Sequence, residues 1–198
     1  MTNKIYALVG PHASGKATLA SNLMAMGIHF IPTYTTYVFP ERGKSHQKSE
    51  SAHLYRSVTR EEFNALDLVV QFTHKGEFFG IRKDDILNSL KDHQISVMIL
   101  EANGIKQLNK LIKKKLATVY LMVDYVALID RMLNTGHTNE EIKYHLQYAE
   151  NNKEFDTWKI ATYVIKNTGT PEMALVQLLS IMGLTTVIPQ KDFNAMIK

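Results

Sequence analysis

The chain contains no cysteine, which excludes disulfide frameworks and thiolate metal sites. No apolar run approaches the ~18 residues that a membrane-spanning helix needs. The opening residues Met1-Thr2-Asn3-Lys4 lead straight into an apolar stretch with no signal-peptide core, so the expected location is the cytoplasm. Internal repeats and low-complexity tracts are also missing. Charge of one sign is in modest excess: the net charge is +4 and the pI is near 9.1. That balance suits an anionic ligand such as a nucleotide, but it is too mild and too dispersed to imply nucleic acid. With 45% hydrophobic and 21% charged residues, the composition is that of an ordinary globular protein. At 198 residues it makes one domain able to bury a full core, with room for a mobile subdomain.

What is present is organised around Ile5-Tyr6-Ala7-Leu8-Val9-Gly10-Pro11-His12-Ala13-Ser14-Gly15-Lys16-Ala17-Thr18-Leu19. Five apolar residues read as a buried strand. Gly10-x-x-x-x-Gly15-Lys16 follows, and then Leu19, Ala20, Leu23 and Met24 share one face of a helix. Strand, glycine loop and helix in that order are the setting of a phosphate-binding loop. Its glycines let backbone N–H groups turn toward a polyphosphate, the helix N-terminus adds its positive dipole end, and Lys16 reaches the β- and γ-phosphates. The residue after the lysine, ordinarily a hydroxyl that holds Mg²⁺, is Ala17, and the hydroxyl comes one later at Thr18. Metal contact is therefore expected through Thr18, directly or through water. Gly-Lys-Ala-Thr is similar to the Gly-Lys-Gly-Thr and Gly-Lys-Ser-Thr of nucleoside monophosphate kinases.

Further along, His29 to Pro32, Ile95 to Leu100, Val119 to Val123 and Thr162 to Ile165 read as strands separated by helical patterns. With the first strand they predict a five-stranded parallel α/β sheet covered by helices on both faces. Thr59-Arg60-Glu61-Glu62 and Thr138-Asn139-Glu140-Glu141 are capping boxes that open helices. Thr170-Pro171 opens another, which Gly183 ends. Residues 33–83 form a β-rich patch inside this alternation, with Leu54 to Val58 as a strand, a hairpin turning at Lys75-Gly76, and an exposed loop over 44–51. Lysines 106, 110, 113, 114 and 115 crowd one helix and its end. They read as a solvated face rather than a nucleic-acid or membrane surface. The tail from Leu184 is ambiguous.

Several ordered segments resemble guanylate kinases, the enzymes that move the γ-phosphoryl of ATP onto GMP. Besides the glycine loop, these are Thr35-Thr36 with Arg42-Gly43, Tyr55-Arg56-Ser57-Val58-Thr59 with Phe63, Phe78-Phe79-Gly80, Glu101-Ala102-Asn103-Gly104, and Val164-Ile165-Lys166-Asn167. The resemblance spans about residues 4–183. It implies ATP and Mg²⁺ as cofactors and a P-loop NTPase-type core over 1–32, 84–133 and 159–198. It also implies a monophosphate-binding insertion over 33–83 and a helical lid over 134–158. Carried over by position, Arg42 and Tyr55 hold the acceptor phosphate, Thr33 lies near the base, and Glu101 replaces an aspartate near base and metal. Arg131 matches the arginine at the lid entrance. Lys16, Arg42 and Arg131 are thus the expected catalytic residues; Thr33, Tyr37, Arg42, Tyr55, Gln71, Phe79 and Glu101 are the expected acceptor-site residues.

The departures from that family are equally specific. One phosphate-binding arginine is replaced by Tyr37, which offers a single hydrogen bond where a guanidinium offers a planar fork. The glutamate that receives guanine's N–H groups falls at Val70, or at Gln71 if the register slips by one. Phe79 and Ile81 lack the family's hydroxyls, and two lid arginines fall at Thr135 and His145. Lys44, Arg82 and Lys83 are possible replacements, as are His137 and His145 if protonated. Two readings result. One is an ATP-dependent phosphotransferase with GMP or another small acceptor, monomeric or homodimeric. The other is a catalytically weakened nucleotide-binding, regulatory or protein-interaction module on the same fold.

Overall fold

The computed structural model describes residues 3–39 and 51–185. Strand β1 (Lys4–Val9) is the centre of a five-stranded sheet. Its alternate residues Ile5, Ala7 and Val9 face one side, while Tyr6 and Leu8 face the other, and all are buried because helices cover both faces. The remaining strands of this sheet are β2 (His29–Phe30), β7 (Ile95–Ile99), β8 (Leu116–Met122) and β9 (Tyr163–Lys166). Their order is β2-β7-β1-β8-β9, and every pairing is parallel. Helices α3 (Lys83–Asp92) and α4 (Ala102–Ile112) bury Ile86, Ile105 and Leu108 on one face. On the other face, α1 (Lys16–Ala25) and α7 (Pro171–Met182) bury Leu19, Leu23, Ala174 and Leu178. Each large apolar side chain so buried contributes roughly 1.5–3 kcal/mol. All five strands and both sides of the helical cover agree with the sequence reading.

A second sheet has four strands in the order β4-β3-β6-β5: β3 (Thr33–Thr35), β4 (Tyr55–Ser57), β5 (Leu68–His74) and β6 (Glu77–Arg82). Strand β3 was not foreseen, because three residues are too few to show a period. The β5–β6 hairpin turns at Lys75 and Gly76, whose φ values of +50° and +83° are those of a two-residue primed turn. Between β4 and β5 lies α2 (Arg60–Asn64), closed at its start by the Thr59/Glu62 capping box. Against the hairpin, α5 (Tyr125–Asn134) and α6 (Asn139–Asn151) form an arm with its own core of Val123, Leu128, Met132, Ile142 and Leu146. The capping box at Thr138/Glu141 fixes the start of α6. Among the described residues, no helix is long and apolar enough to cross a membrane.

Candidate functional site

Sheet order reverses at β1, whose neighbours β7 and β8 both come later in the chain. A parallel sheet opens a crevice at the carboxyl ends of its strands at such a point. The glycine loop leaves β1 into this crevice. Glu101 follows β7, α5 follows β8, and Asn167 follows β9, so four strand ends converge on one place.

The loop is held from outside. Asn167 Nδ2 donates to the Ser14 carbonyl at 2.8 Å, and Arg131 donates to the Ala13 and Asn167 carbonyls at 3.2 and 2.7 Å. Gly15 has φ +96°, and a Cβ there would stand 2.5 Å from Asn167 Nδ2. Only glycine fits that close approach. Arg131, expected in a catalytic role, is here engaged with main-chain carbonyls and braces the loop against α5. Lys16 folds back into the loop, its Nζ donating to the Gly10 and Pro11 carbonyls at 2.6 and 2.7 Å, with Ser14 Oγ at 3.4 Å. Burial pushes its ammonium below the usual lysine value, and Glu154 and Glu101 oppose that shift. Thr18 is exposed in the first turn of α1, while Ala17 is half-buried against the α1–α7 face. The Glu101 and Glu154 carboxyls near Lys16 are oxygen donors of the kind that a hydrated hard cation takes, and the lysine is a cation of the kind that a polyphosphate takes.

Glu101 is pushed up to about 7, first by burial and next by the nearby Glu154 carboxylate; the hydrogen bond from Tyr148 and the charge of Lys16 act the other way. The Tyr148 hydroxyl donates to Glu101 Oε2 at 3.1 Å and so ties α6 to the end of β7. Glu154, in a 3₁₀ turn after α6, is buried and its carboxyl is likewise raised by burial, with Lys16 opposing. Sequence reasoning missed Glu154 and Tyr148. Nothing in their spacing singles them out, because only the packing of the arm brings them to Lys16 and Glu101.

Across the crevice the four-stranded sheet offers Thr33, buried, and an aromatic group. Phe72 stacks on Phe79 with ring centres 5.3 Å apart, Tyr55 lies 6.2 Å from Phe79, and Phe39 links Tyr55 to the exposed Tyr37. Burial raises the Tyr55 phenol, and Glu101 adds to that shift, so the two share the crevice. The structure does not bring Gln71 to this group. Successive strand residues point to opposite faces, so Gln71 leaves the face of Phe72 and His74 and lines an outer hollow with Phe63, Asn64 and Asp67. Its neighbour Val70 is buried in the core beside Ile81 and Leu100. Arg82 is also elsewhere. It pairs with Asp84 at 3.2 Å and lies over the ring of Tyr34 on the outer face, and Lys83 reaches Asp67 at 3.9 Å. Arg42 and Lys44 lie outside the described residues.

The mouth of the loop carries histidines. His12 projects from the loop and stacks on His145 of α6, with ring centres 3.9 Å apart and planes 11° apart, and its Nε2 lies 3.3 Å from His137 Nε2. His145 is lowered to about 4, by burial first, then by Lys75 and by its neighbours His137 and His74. It is therefore neutral at pH 7, which removes it as a cationic substitute for a lid arginine.

No protein-family model matches the chain. It is 25% identical over 156 residues to a guanylate kinase of Nostoc sp., covering 76% of each chain. It is 26% identical over 163 residues to a guanylate kinase of Trichodesmium erythraeum, covering 79% of this chain and 84% of that one. The chain is therefore similar to guanylate kinases over about three quarters of its length. Its fold superposes on the crystal structure of guanylate kinase from Anaplasma phagocytophilum with a TM-score of 0.61 at 17% identity, covering 93% of this chain and 88% of that one.

Proposed function

We propose that the protein is an ATP-dependent phosphotransferase of guanylate-kinase type, acting on GMP or a related nucleoside monophosphate. What supports this reading is the braced loop with Lys16 at its centre beside Glu101, whose charge also reaches Tyr55. In such an arrangement residues 10–18 hold the β- and γ-phosphates through backbone N–H groups, and Lys16 exchanges its loop carbonyls for phosphate oxygens. Mg²⁺, held near Thr18 and the Glu101–Glu154 pair, would neutralise charge on the β- and γ-oxygens. Transfer to an acceptor phosphate needs no general base, since that oxygen is already ionised; positioning and charge stabilisation suffice. The aromatic group around Phe79 and Tyr55 gives a flat base a stacking surface, and Arg42 and Tyr55 are the acceptor-phosphate groups in this reading. The helical arm over 134–158 acts as the lid.

A second reading is favoured by one observation. Thr135 and the neutral His145 stand where the family has lid arginines, and the loss of one such cation reduces transfer by ~10³ or more. The protein would then bind nucleotide and turn it over weakly or not at all. Coupled ADP release with ATP, Mg²⁺ and a panel of nucleoside monophosphates separates the two, with Lys16→Ala as control. Turnover on one monophosphate that vanishes in the control supports the kinase. Silence across the panel with ATP still bound overturns it and leaves the binding module.

A further inference from the structure

We propose that His12, His137 and His145 form a three-imidazole site for a divalent ion of the zinc class, which fastens the α6 arm to the phosphate loop. The three residues come from separate elements: the loop after β1, the turn between α5 and α6, and the body of α6. Each offers a ring nitrogen, and these atoms all lie within 4.8 Å of one another. Two nitrogens bound to one tetrahedral zinc at ~2.0–2.1 Å stand about 3.3–3.4 Å apart. The His12 Nε2 to His137 Nε2 separation is 3.3 Å.

His137 is also oriented for the task. Its Nδ1 faces the Met132 carbonyl at 3.2 Å and Thr135 Oγ1 at 3.0 Å. A carbonyl only accepts, so Nδ1 carries the proton and Nε2 presents a bare lone pair toward His12. A backbone carbonyl behind the ligating imidazole is the usual second support of a histidine metal site. One adjustment is required. Lone pairs lie in the ring plane, so the parallel stack of His12 on His145 has to open as the ion enters; His12 is an exposed residue of the loop. Three nitrogen ligands suit Zn²⁺, Co²⁺ or Ni²⁺ and are a poor match to Mg²⁺ or Ca²⁺. They leave a fourth position for water or another oxygen ligand. His12 belongs to the glycine loop, but the ion is held by imidazole nitrogens and not by Thr18, Glu101 or Glu154, so its binding is read without any phosphate transfer.

The test uses the full chain without an affinity tag, stripped with chelator and titrated with Co²⁺ and then Zn²⁺. One equivalent of Co²⁺ is expected to give the visible bands of tetrahedral coordination, which Zn²⁺ abolishes. Amide exchange in α6 should slow on Zn²⁺ addition. His137→Ala and His145→Ala should each weaken binding by at least the ~10–100-fold that loss of a supporting group costs, while His93→Ala, in the distant stacked pair with His29, should not. His145 is buried, so if its variant fails to fold, the half-exposed His137 decides the matter. Unchanged affinity in His137→Ala, absence of the tetrahedral bands, or equal loss in His93→Ala overturns the proposal.

Discussion

The hydroxyl of Tyr148 in α6 donates to Glu101 Oε2 at the end of β7, 3.1 Å away, and this bond joins the arm to the core sheet. Beside it the arm touches the β5–β6 hairpin, where Lys75 lies 4.9 Å from the ring centre of Tyr144 and the ring centres of His74 and Tyr148 are 4.6 Å apart. Tyr148→Phe keeps the ring and deletes the bond. The expected loss is about 1 kcal/mol, the usual worth of one partly buried hydrogen bond. Amide exchange in residues 139–151 should quicken more than in β1 or β7. Uniform exchange across the chain would mean that this bond does not hold the arm.

Glu101 titrates in the wrong direction for an ordinary surface carboxylate. Its folded value of about 7 lies above the 4.5 of a free glutamate. The folded state therefore keeps a proton that the unfolded chain has lost between those values. Its contribution to stability is full below the unfolded value and is lost as pH rises through the folded one. At ~1.4 kcal/mol per unit, the loss is on the order of 2–3 kcal/mol by pH 8, less any part screened by solvent. Glu101→Gln is neutral throughout. Urea unfolding at pH 5 and pH 8, without nucleotide or metal, should show the variant gaining on the parent at the higher pH. Parallel pH profiles for the two proteins would refute this account.

The core was legible because its signals are local. Ile5 to Val9 and Val119 to Val123 are apolar throughout, as strands covered on both faces must be, and the Thr59 and Thr138 capping boxes sit where they were read. The glycine loop was legible for the same reason. The inner face of the second sheet was not. Whether Val70 or Gln71 turns inward depends on a register shift between Leu68 and Val70 in the β5–β6 pairing, which no short pattern announces. Glu154, Tyr148 and the histidine cluster were hidden more deeply. His12 and His137 are 125 positions apart in the chain, and only the docking of the arm makes them neighbours.

Gly15→Ala tests the brace on the loop. The new methyl would stand 2.5 Å from Asn167 Nδ2, and the backbone at φ +96° is unfavourable to any side chain. A loss of about 1–3 kcal/mol is expected from the strain alone, together with loss of ATP binding. Adding Asn167→Ala removes the clash but not the strained φ, so the double variant should recover part of the stability and none of the binding. Full recovery would show that contact with Asn167, and not backbone conformation, requires the glycine.

Lys16 distinguishes a phosphate cradle from a structural turn. Its ammonium satisfies the Gly10 and Pro11 carbonyls and sits near the Glu101 and Glu154 carboxylates. Lys16→Ala therefore has two consequences of different kind. The carboxylates lose a cation and bind protons more readily, which shifts the stability profile toward acid. Separately, the loop loses its charge-assisted bonds to phosphate, each worth about 1.5–3 kcal/mol, so the ATP dissociation constant should rise about 10–100-fold. Circular dichroism at pH 6 should match the parent, because the loop is still braced by Asn167 and Arg131. Calorimetric titration with ATP then decides. Unchanged affinity in a folded variant would mean that residues 10–18 do not hold a polyphosphate, and the phosphotransferase reading would fall with them.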